Sequence, residues 1–166
     1  MKEQLFSLYR GGKLTEKGVA DAVFRGWMTH ADVAELLGEE VGLTVSKTAR
    51  IIRSKQDLAD YIAAHPLQWT DGEKYSITAE KQAQLTATIV CAQADGQAPE
   101  WNSTADVCRT WDIVELSSLG VAIKNRVKAL VKYQQTQEVA MRNARTLEEL
   151  EAIVVDYDSV SEEASA

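Results

Sequence analysis

The sequence predicts an α+β protein that is mainly α-helical, with small β-hairpins placed between its helices. Three observations lead to this prediction. Threonines stand repeatedly just before runs whose apolar residues recur at helical spacing, as expected of helix N-caps. Apolar residues continue in steps of three and four over residues 113–143, which indicates one long helix. Asp71-Gly72 lies between two short alternating runs, a pattern typical of a hairpin turn.

The N-terminal segment, residues 1–41, predicts a short helical hairpin. Thr15 and Thr29 each precede an apolar run, and glycines at 11–12 and 26 end the preceding runs. The apolar seam consists of Leu14, Val19, Val23, Trp27, Met28, Val33 and Leu37. A hairpin of this size cannot hold a core alone, so we expect it to dock on another surface.

Residues 42–65 are predicted to be a connector with partial helix. They begin with β-branched residues and end in a helical pattern, and Pro66 discourages helix at the residue before it. Residues 156–166, rich in Ser, Glu and Asp, are predicted to be an acidic flexible tail.

Residues 66–155 are predicted to form one α+β domain. A tight type I′ turn is expected at Asp71-Gly72, followed by a helix that starts at Thr78 and ends at Gly96. A second short hairpin is expected across residues 103–106. After the long helix, Thr146 with Glu149 predicts a capping box and a short terminal helix.

Composition limits the classes of function. The chain has 166 residues, 45% of them hydrophobic, and a net charge of −7. We expect no membrane span and no signal peptide, because neither a long apolar run nor a basic leader is present. Cys91 and Cys108 have no metal-binding spacing, and we expect both to be buried as small apolar residues in a reducing compartment.

The chain also offers little that predicts catalysis. His30 and His65 have no zinc-ligand spacing, and His30 is expected to lie exposed at a helix start. The glycine pair at 11–12 lacks the Lys-Ser/Thr of a phosphate-binding loop. We therefore predict no catalytic residue, no metal, no cofactor and no enzymatic activity.

One alternative is a DNA-binding regulator that uses residues 32–53. Residues 32–37 and 46–53 can be placed as the two helices of a helix-turn-helix, with residues 38–42 as the turn. Under this alternative, the candidate DNA contacts are Lys47, Arg50, Arg53 and Lys55. The acidic balance of the chain opposes it, because phosphate neutralisation supplies most non-specific affinity for nucleic acid.

The segment from Tyr9 to Glu39 resembles the XkdX-type phage tail proteins. The matching pieces are Tyr9 with Gly12, residues 15–23, Gly26-Trp27-Met28-Thr29, and Gly38-Glu39. Met28 stands where that family usually has Ile. The resemblance covers about a quarter of the chain.

Residues 66–155 resemble a domain of unknown function found in phage tail-fibre and fibre-assembly proteins. The shared order of parts is a small hairpin, a helix start at residues 77–85, a hairpin with Trp101 and Trp111, a long helix, and residues 146–153. This chain has Trp111-Asp112 where the family often has a threonine-acidic cap.

Together, the two resemblances imply a non-enzymatic structural or docking protein of a phage or prophage tail. They imply synthesis in the bacterial host cytoplasm, a place in the virion tail, and partners among tail, baseplate or fibre proteins. Self-association as a homotrimer is a further expectation for the long helix. The candidate interface residues are Tyr9, Trp27, Met28 and Trp69. A tail-fibre assembly chaperone, which leaves the finished particle, is the second alternative.

Overall fold

The computed structural model describes residues 1–160 and confirms a mainly helical α+β fold. Four helices come first, namely α1 (Lys2–Arg10), α2 (Glu16–Phe24), α3 (His30–Leu37) and α4 (Glu39–Ala64). A mixed segment follows, with β1 (Leu67–Gln68), β2 (Lys74–Tyr75), α5 (Ala79–Asp95), β3 (Glu100–Trp101) and β4 (Arg109–Thr110). The last elements are α6 (Ile113–Asn143), α7 (Leu147–Glu151) and a 3-10 turn at Tyr157–Ser159.

The chain divides into two compact units. Unit 1 comprises Met1–Asp57 and Gln134–Val155, and unit 2 comprises Leu58–Tyr133 with the described residues 156–160. Helices α4 and α6 each contribute residues to both units. The domain limits predicted at residues 41 and 65 differ from this division, which crosses α4 between residues 57 and 58. Residue 41 lies inside α4, and residue 65 directly follows its end.

In unit 1, the predicted helix starts are confirmed. The Thr15 hydroxyl accepts a hydrogen bond from the Gly18 N–H, and the Thr29 hydroxyl accepts one from Asp32. Two helices alone do not supply the core, since α1 and α4 also contribute apolar side chains. The buried cluster consists of Leu5, Phe6, Val19, Ala20, Ala22, Met28, Val33, Val45 and Ala49.

Helix α4 corrects the prediction of a partly helical connector. It runs without interruption through residues 42–65 as far as Ala64. Gly42 lies inside this helix as a packing residue, since a Cβ at Gly42 would lie 2.9 Å from the Ala34 Cα. Glycine at this position therefore lets the backbones of α3 and α4 approach closely.

The terminal helix of unit 1 is also confirmed at its start. The Thr146 hydroxyl accepts from the Glu149 N–H, while the Glu149 carboxylate accepts from the Arg145 N–H at 2.6 Å, one residue earlier than in a capping box. Leu150 of this helix joins a second buried cluster, whose other members are Ile51, Met141 and Ala144.

In unit 2, α5 begins and ends as predicted. The Thr78 hydroxyl accepts from the Lys81 N–H, and Gly96 ends the helix with a left-handed backbone. The second hairpin is confirmed, with Trp101 paired to Arg109. The predicted long helix is likewise confirmed as α6, and the Asp112 carboxylate accepts from the Val114 and Glu115 N–H groups at its start.

The first hairpin forms, but its predicted type I′ turn is wrong. Leu67 pairs with Tyr75 and Gln68 with Lys74, which leaves residues 69–73 as a five-residue loop. A type I′ turn needs positive φ at both central residues. Gly72 has a φ of +88°. Asp71 has a negative φ, because only glycines have a positive φ among the described residues.

Two further expectations are corrected in the described residues. Cys91 and Cys108 are both free and exposed: Cys91 lies on a solvent-facing side of α5, and Cys108 lies in the loop between β3 and β4. Residues 156–160 are folded and form what we call the C-terminal strap. Tyr157 of the strap is buried between the rings of Tyr61 and Tyr133, which explains why this part does not fray. The rest of the predicted tail, residues 161–166, lies outside the described residues.

Candidate interaction surfaces

Trp27 is a half-exposed aromatic side chain held on a well-braced turn. The residue is 48% exposed, and the Arg25 guanidinium lies 5.4 Å from the centroid of its ring. Arg25 is itself held by Asp21 at 2.7 Å. The backbone is fixed too, because the Trp27 N–H donates to the Ala22 carbonyl at 2.8 Å and Gly26 supplies a φ of +73°.

The chain on the other side of Trp27 is fixed by a capping box. The Asp32 carboxylate accepts from the Thr29 N–H at 2.9 Å, and the Thr29 hydroxyl accepts from the Asp32 N–H at 3.1 Å. Lys2 from α1 approaches Asp32 at 2.7 Å. Hydrogen bonds from Lys2 and Thr29 lower the pKa of Asp32 to about 2. Trp27 therefore protrudes from a turn that is tied to both flanking helices.

Of the other predicted interface residues, Met28 belongs to the core of unit 1 and Tyr9 packs against that core. Met28 is only 3% exposed and lies in the buried cluster beside Val33, so the prediction that it contacts a partner is corrected. Tyr9 is partly buried and packs against the same cluster. These two neighbours in the chain therefore differ in burial, since Trp27 is exposed and Met28 lies in the core.

The four basic residues of α4 are engaged within unit 1. Three of them donate to backbone carbonyls: Lys47 to Arg142 at 3.0 Å, Arg50 to Ile153 at 2.5 Å and Arg53 to Phe24 at 2.7 Å. Lys55 pairs with Glu138 at 3.0 Å. Hydrogen bonds from Arg142 and Lys55 lower the pKa of Glu138 to about 2.

The helix-turn-helix geometry predicted for residues 32–53 is wrong. The expected turn at residues 38–42 is reduced to Gly38, since α4 already begins at Glu39. The expected recognition helix is an internal part of this 26-residue helix. Its basic side chains bind carbonyl and carboxylate oxygens of the chain itself, and so act as internal braces.

His30 lines a pocket of about 420 Å³ in unit 1, together with Arg50, Arg53, Asp57 and Glu151. It is partly buried, not exposed as predicted, because its Nδ1 lies 2.8 Å from the buried hydroxyl of Ser46. Burial lowers the pKa of His30, Glu151 opposes this, and Arg50 adds to it. Ser46 is 1% exposed, so we assign the His30–Ser46 pair a structural role.

Unit 2 carries an exposed apolar face that the sequence interpretation missed. Val114 and Val121 of α6 are 70% and 54% exposed, and Val90 of α5 is 57% exposed. We call these three residues the valine face. The available signal was the seven-residue spacing of Val114 and Val121, which places both on one side of α6, away from its buried seam.

Two grooves flank the valine face on either side of Val121. One, of about 400 Å³, is bordered by Trp69, Val114 and Asn125. The other, of about 410 Å³, is bordered by Val90, Ile89 and Lys124. Both grooves include Ser117 and Val121 in their walls.

Trp69, the fourth predicted interface residue, thus lies in a groove. Its side chain is partly buried, and its indole N–H is buried without an acceptor in the described part of the chain. A buried donor without an acceptor costs roughly 1–3 kcal/mol. Trp69 therefore borders the first groove as a partly buried side chain.

Within residues 1–160, no group of three or more His, Cys, Asp and Glu side chains is arranged to hold a metal ion. None of the helices in that range is both long and apolar enough to cross a bilayer. No protein-family model, curated protein or solved structure matches the chain.

Proposed function

We propose that the protein is a non-enzymatic structural or docking component of a phage or prophage tail, which acts through contacts with other tail, baseplate or fibre proteins. It is made in the bacterial host cytoplasm and incorporated into the virion tail. The observation that supports this proposal is the half-exposed Trp27 on its braced turn. That turn lies in the segment that resembles the XkdX-type tail proteins.

Trp27 has the properties of an interface anchor. Tryptophan is enriched among the residues that dominate binding energy, because one rigid side chain buries a large apolar area. The bonds at Ala22 and Thr29 hold the turn before any partner arrives. Little conformational freedom remains to be lost on binding, which favours affinity.

The basic residues of α4 do not favour the DNA-binding alternative, since each has a partner in unit 1. The assembly-chaperone alternative uses the same kind of contact. It differs from the tail component in one respect, which is whether the protein stays in the finished particle.

The test is an immunoblot of purified particles from the phage or prophage that carries the gene. We expect the wild-type protein in the particles and the tail fraction. The variant Trp27→Ala should be lost from them, since truncation of an interface anchor costs at least about 2 kcal/mol of binding. The matched control is Val139→Ala, a side chain of unit 1 that is 56% exposed on α6. It should be retained.

Two other outcomes would point elsewhere. If the protein is absent from finished particles but its deletion prevents tail assembly, it is an assembly chaperone. A deletion that changes neither tail morphology nor infectious titre refutes the tail proposal. Circular dichroism of both variants establishes that they are folded before their incorporation is compared.

A further inference from the structure

We infer that the pocket of about 420 Å³ in unit 1 binds a small zwitterion, a molecule with one carboxylate and one ammonium group a few carbons apart. Arg50 and Arg53 hold the carboxylate, while Asp57 and Glu151 hold the ammonium group. Trp27 does not line this pocket, so the site can bind such a ligand whether or not the protein belongs to a phage tail.

The pocket has the composition of a small-molecule site. Ala49 and Met141 line it as buried apolar residues, with 3% and 1% exposure, and can contact the carbon chain of a ligand. Ligand sites combine a mainly apolar lining with a few polar groups that orient the ligand. The volume lies in the lower part of the range of such sites, which suits a short molecule.

The two arginines are held in place and still retain donors for a ligand. Arg50 donates to the Ile153 carbonyl at 2.5 Å. Arg53 donates to the Phe24 carbonyl at 2.7 Å, and its guanidinium lies 4.6 Å from the centroid of the Phe24 ring. Each of these hydrogen bonds uses one N–H of a group that carries five, and its acceptor is a neutral carbonyl. Guanidinium groups fixed in this way suit a carboxylate, which they bind through charge-assisted hydrogen bonds.

The two carboxylates of the pocket have no cation of their own in the described chain. Asp57 is half-buried and Glu151 is exposed, and within residues 1–160 neither accepts a hydrogen bond nor forms an ion pair. An ammonium group, with its three donors, can supply what both lack. Asp57 follows Arg53 by four residues of α4, about 6 Å along the helix axis, which favours a ligand whose charges are a few carbons apart.

The balance of charge selects a zwitterion over a simple anion or cation. Two arginines oppose two carboxylates, and burial keeps the pKa of His30 below its ordinary value, so this further lining residue is mainly neutral at pH 7. A simple anion is attracted by the arginines and repelled by the carboxylates, and a simple cation meets the reverse. A ligand with both charges finds a complementary group at each end.

The test is an NMR titration of the ¹⁵N-labelled full-length protein with δ-aminovalerate, which carries both charges. Valerate and pentylammonium, each of which retains one of the two charges, are the comparison ligands. We expect saturable shifts at the amides of pocket residues such as His30 and Arg50, with a dissociation constant of about 1 mM or lower. Each singly charged compound should bind at least about 10-fold more weakly.

Asp57→Asn is the main variant, because the Asp57 carboxylate accepts no hydrogen bond in the described chain and its loss should leave the fold intact. It should weaken the binding of δ-aminovalerate about 10-fold. The double variant D57N/E151Q leaves the two guanidinium groups unopposed and should bind valerate more tightly than the wild type does. Glu16→Gln is the matched control, since Glu16 is exposed in unit 1 and does not line the pocket. It should leave binding unchanged.

Three results would overturn the inference. The first is the absence of saturable shifts at pocket residues up to about 20 mM δ-aminovalerate. The second is equal affinity for valerate and δ-aminovalerate, which would identify a site for simple anions. The third is a Asp57→Asn protein that binds as tightly as the Glu16→Gln control.

Discussion

The carboxylate of Asp71 and the guanidinium of Arg109 meet at 2.6 Å, although the two residues are 38 positions apart in the chain. Asp71 lies in the loop of the first hairpin and Arg109 in strand β4 of the second. The Tyr75 hydroxyl donates to the same carboxylate at 2.7 Å, and Arg109 lies 3.9 Å over the ring of Trp111. Since an isolated two-stranded hairpin is marginal in water, this joint stabilises both.

Asp71→Ala is expected to lower the free energy of unfolding by about 1–3 kcal/mol, because it removes the carboxylate to which both the partly buried Tyr75 hydroxyl and Arg109 donate. Burial alone would raise the pKa of Asp71, but hydrogen bonds from Glu73, Tyr75 and Arg109 hold it below its ordinary value. Urea unfolding measures the change. Asp106→Ala is the control, since the Asp106 carboxylate accepts a local hydrogen bond from the N–H of the next residue, Val107. An equal loss in both variants would contradict the assignment.

The features that the sequence predicted well depend on residues close together in the chain. Thr15, Thr29, Thr78 and Thr146 each cap a helix through a bond to a residue three positions later. The apolar seam of α6 likewise follows from spacing within one helix. Local patterns of this kind can be recognised before the fold is known.

The features that the sequence did not predict depend on distant contacts. Gly42 lies inside α4 and leaves room for the backbone of Ala34, which belongs to the preceding helix. Tyr157 packs against the ring of Tyr61, which lies much earlier in the chain. For the candidate surfaces, Trp27 and Met28 are adjacent apolar residues, yet one is 48% and the other 3% exposed. Only the packed structure separates an exposed residue from a core residue in that pair.

Gly42→Ala is expected to destabilise unit 1, although alanine normally favours a helix by about 1 kcal/mol over glycine. The new Cβ would lie 2.9 Å from the Ala34 Cα and 3.2 Å from its amide nitrogen. Backbone atoms cannot move aside as a side-chain tip can, so we expect a net loss of about 1–2 kcal/mol. Urea unfolding followed by circular dichroism measures it.

Gly120→Ala is the matched control in another helix interior. Its Cβ would meet only side-chain ends, Ile89 Cδ1 at 3.4 Å and Leu85 Cδ2 at 3.7 Å. That variant should be neutral or more stable by up to about 1 kcal/mol. A Gly42→Ala protein as stable as Gly120→Ala would show that α3 and α4 do not pack as closely as described.

His30 should make stability depend on pH in the mildly acidic range. Burial lowers its pKa in the folded protein below the ordinary 6.5, so the unfolded chain takes up the proton first as pH falls. The contribution of neutral His30 is therefore complete above pH 6.5 and is lost as pH falls through its lower folded-state pKa. His30→Gln should flatten the fall in unfolding free energy across this window. An identical slope in the wild type and the variant would remove His30 as the cause.

Tyr157→Ala should release the C-terminal strap and destabilise unit 2. Tyr157 is 6% exposed, with ring centroids 5.6 Å from Tyr61 and 5.7 Å from Tyr133. The strap is also held by the buried Arg126, which donates to the Val160 carbonyl at 2.7 Å. Removal of a buried aromatic ring costs about 3–5 kcal/mol, and hydrogen exchange should show the loss in unit 2. Tyr157→Phe keeps the ring and should cost no more than about 1.5 kcal/mol. If the amides of unit 2 are as well protected from hydrogen exchange in the alanine variant as in the phenylalanine variant, the strap does not stabilise that unit.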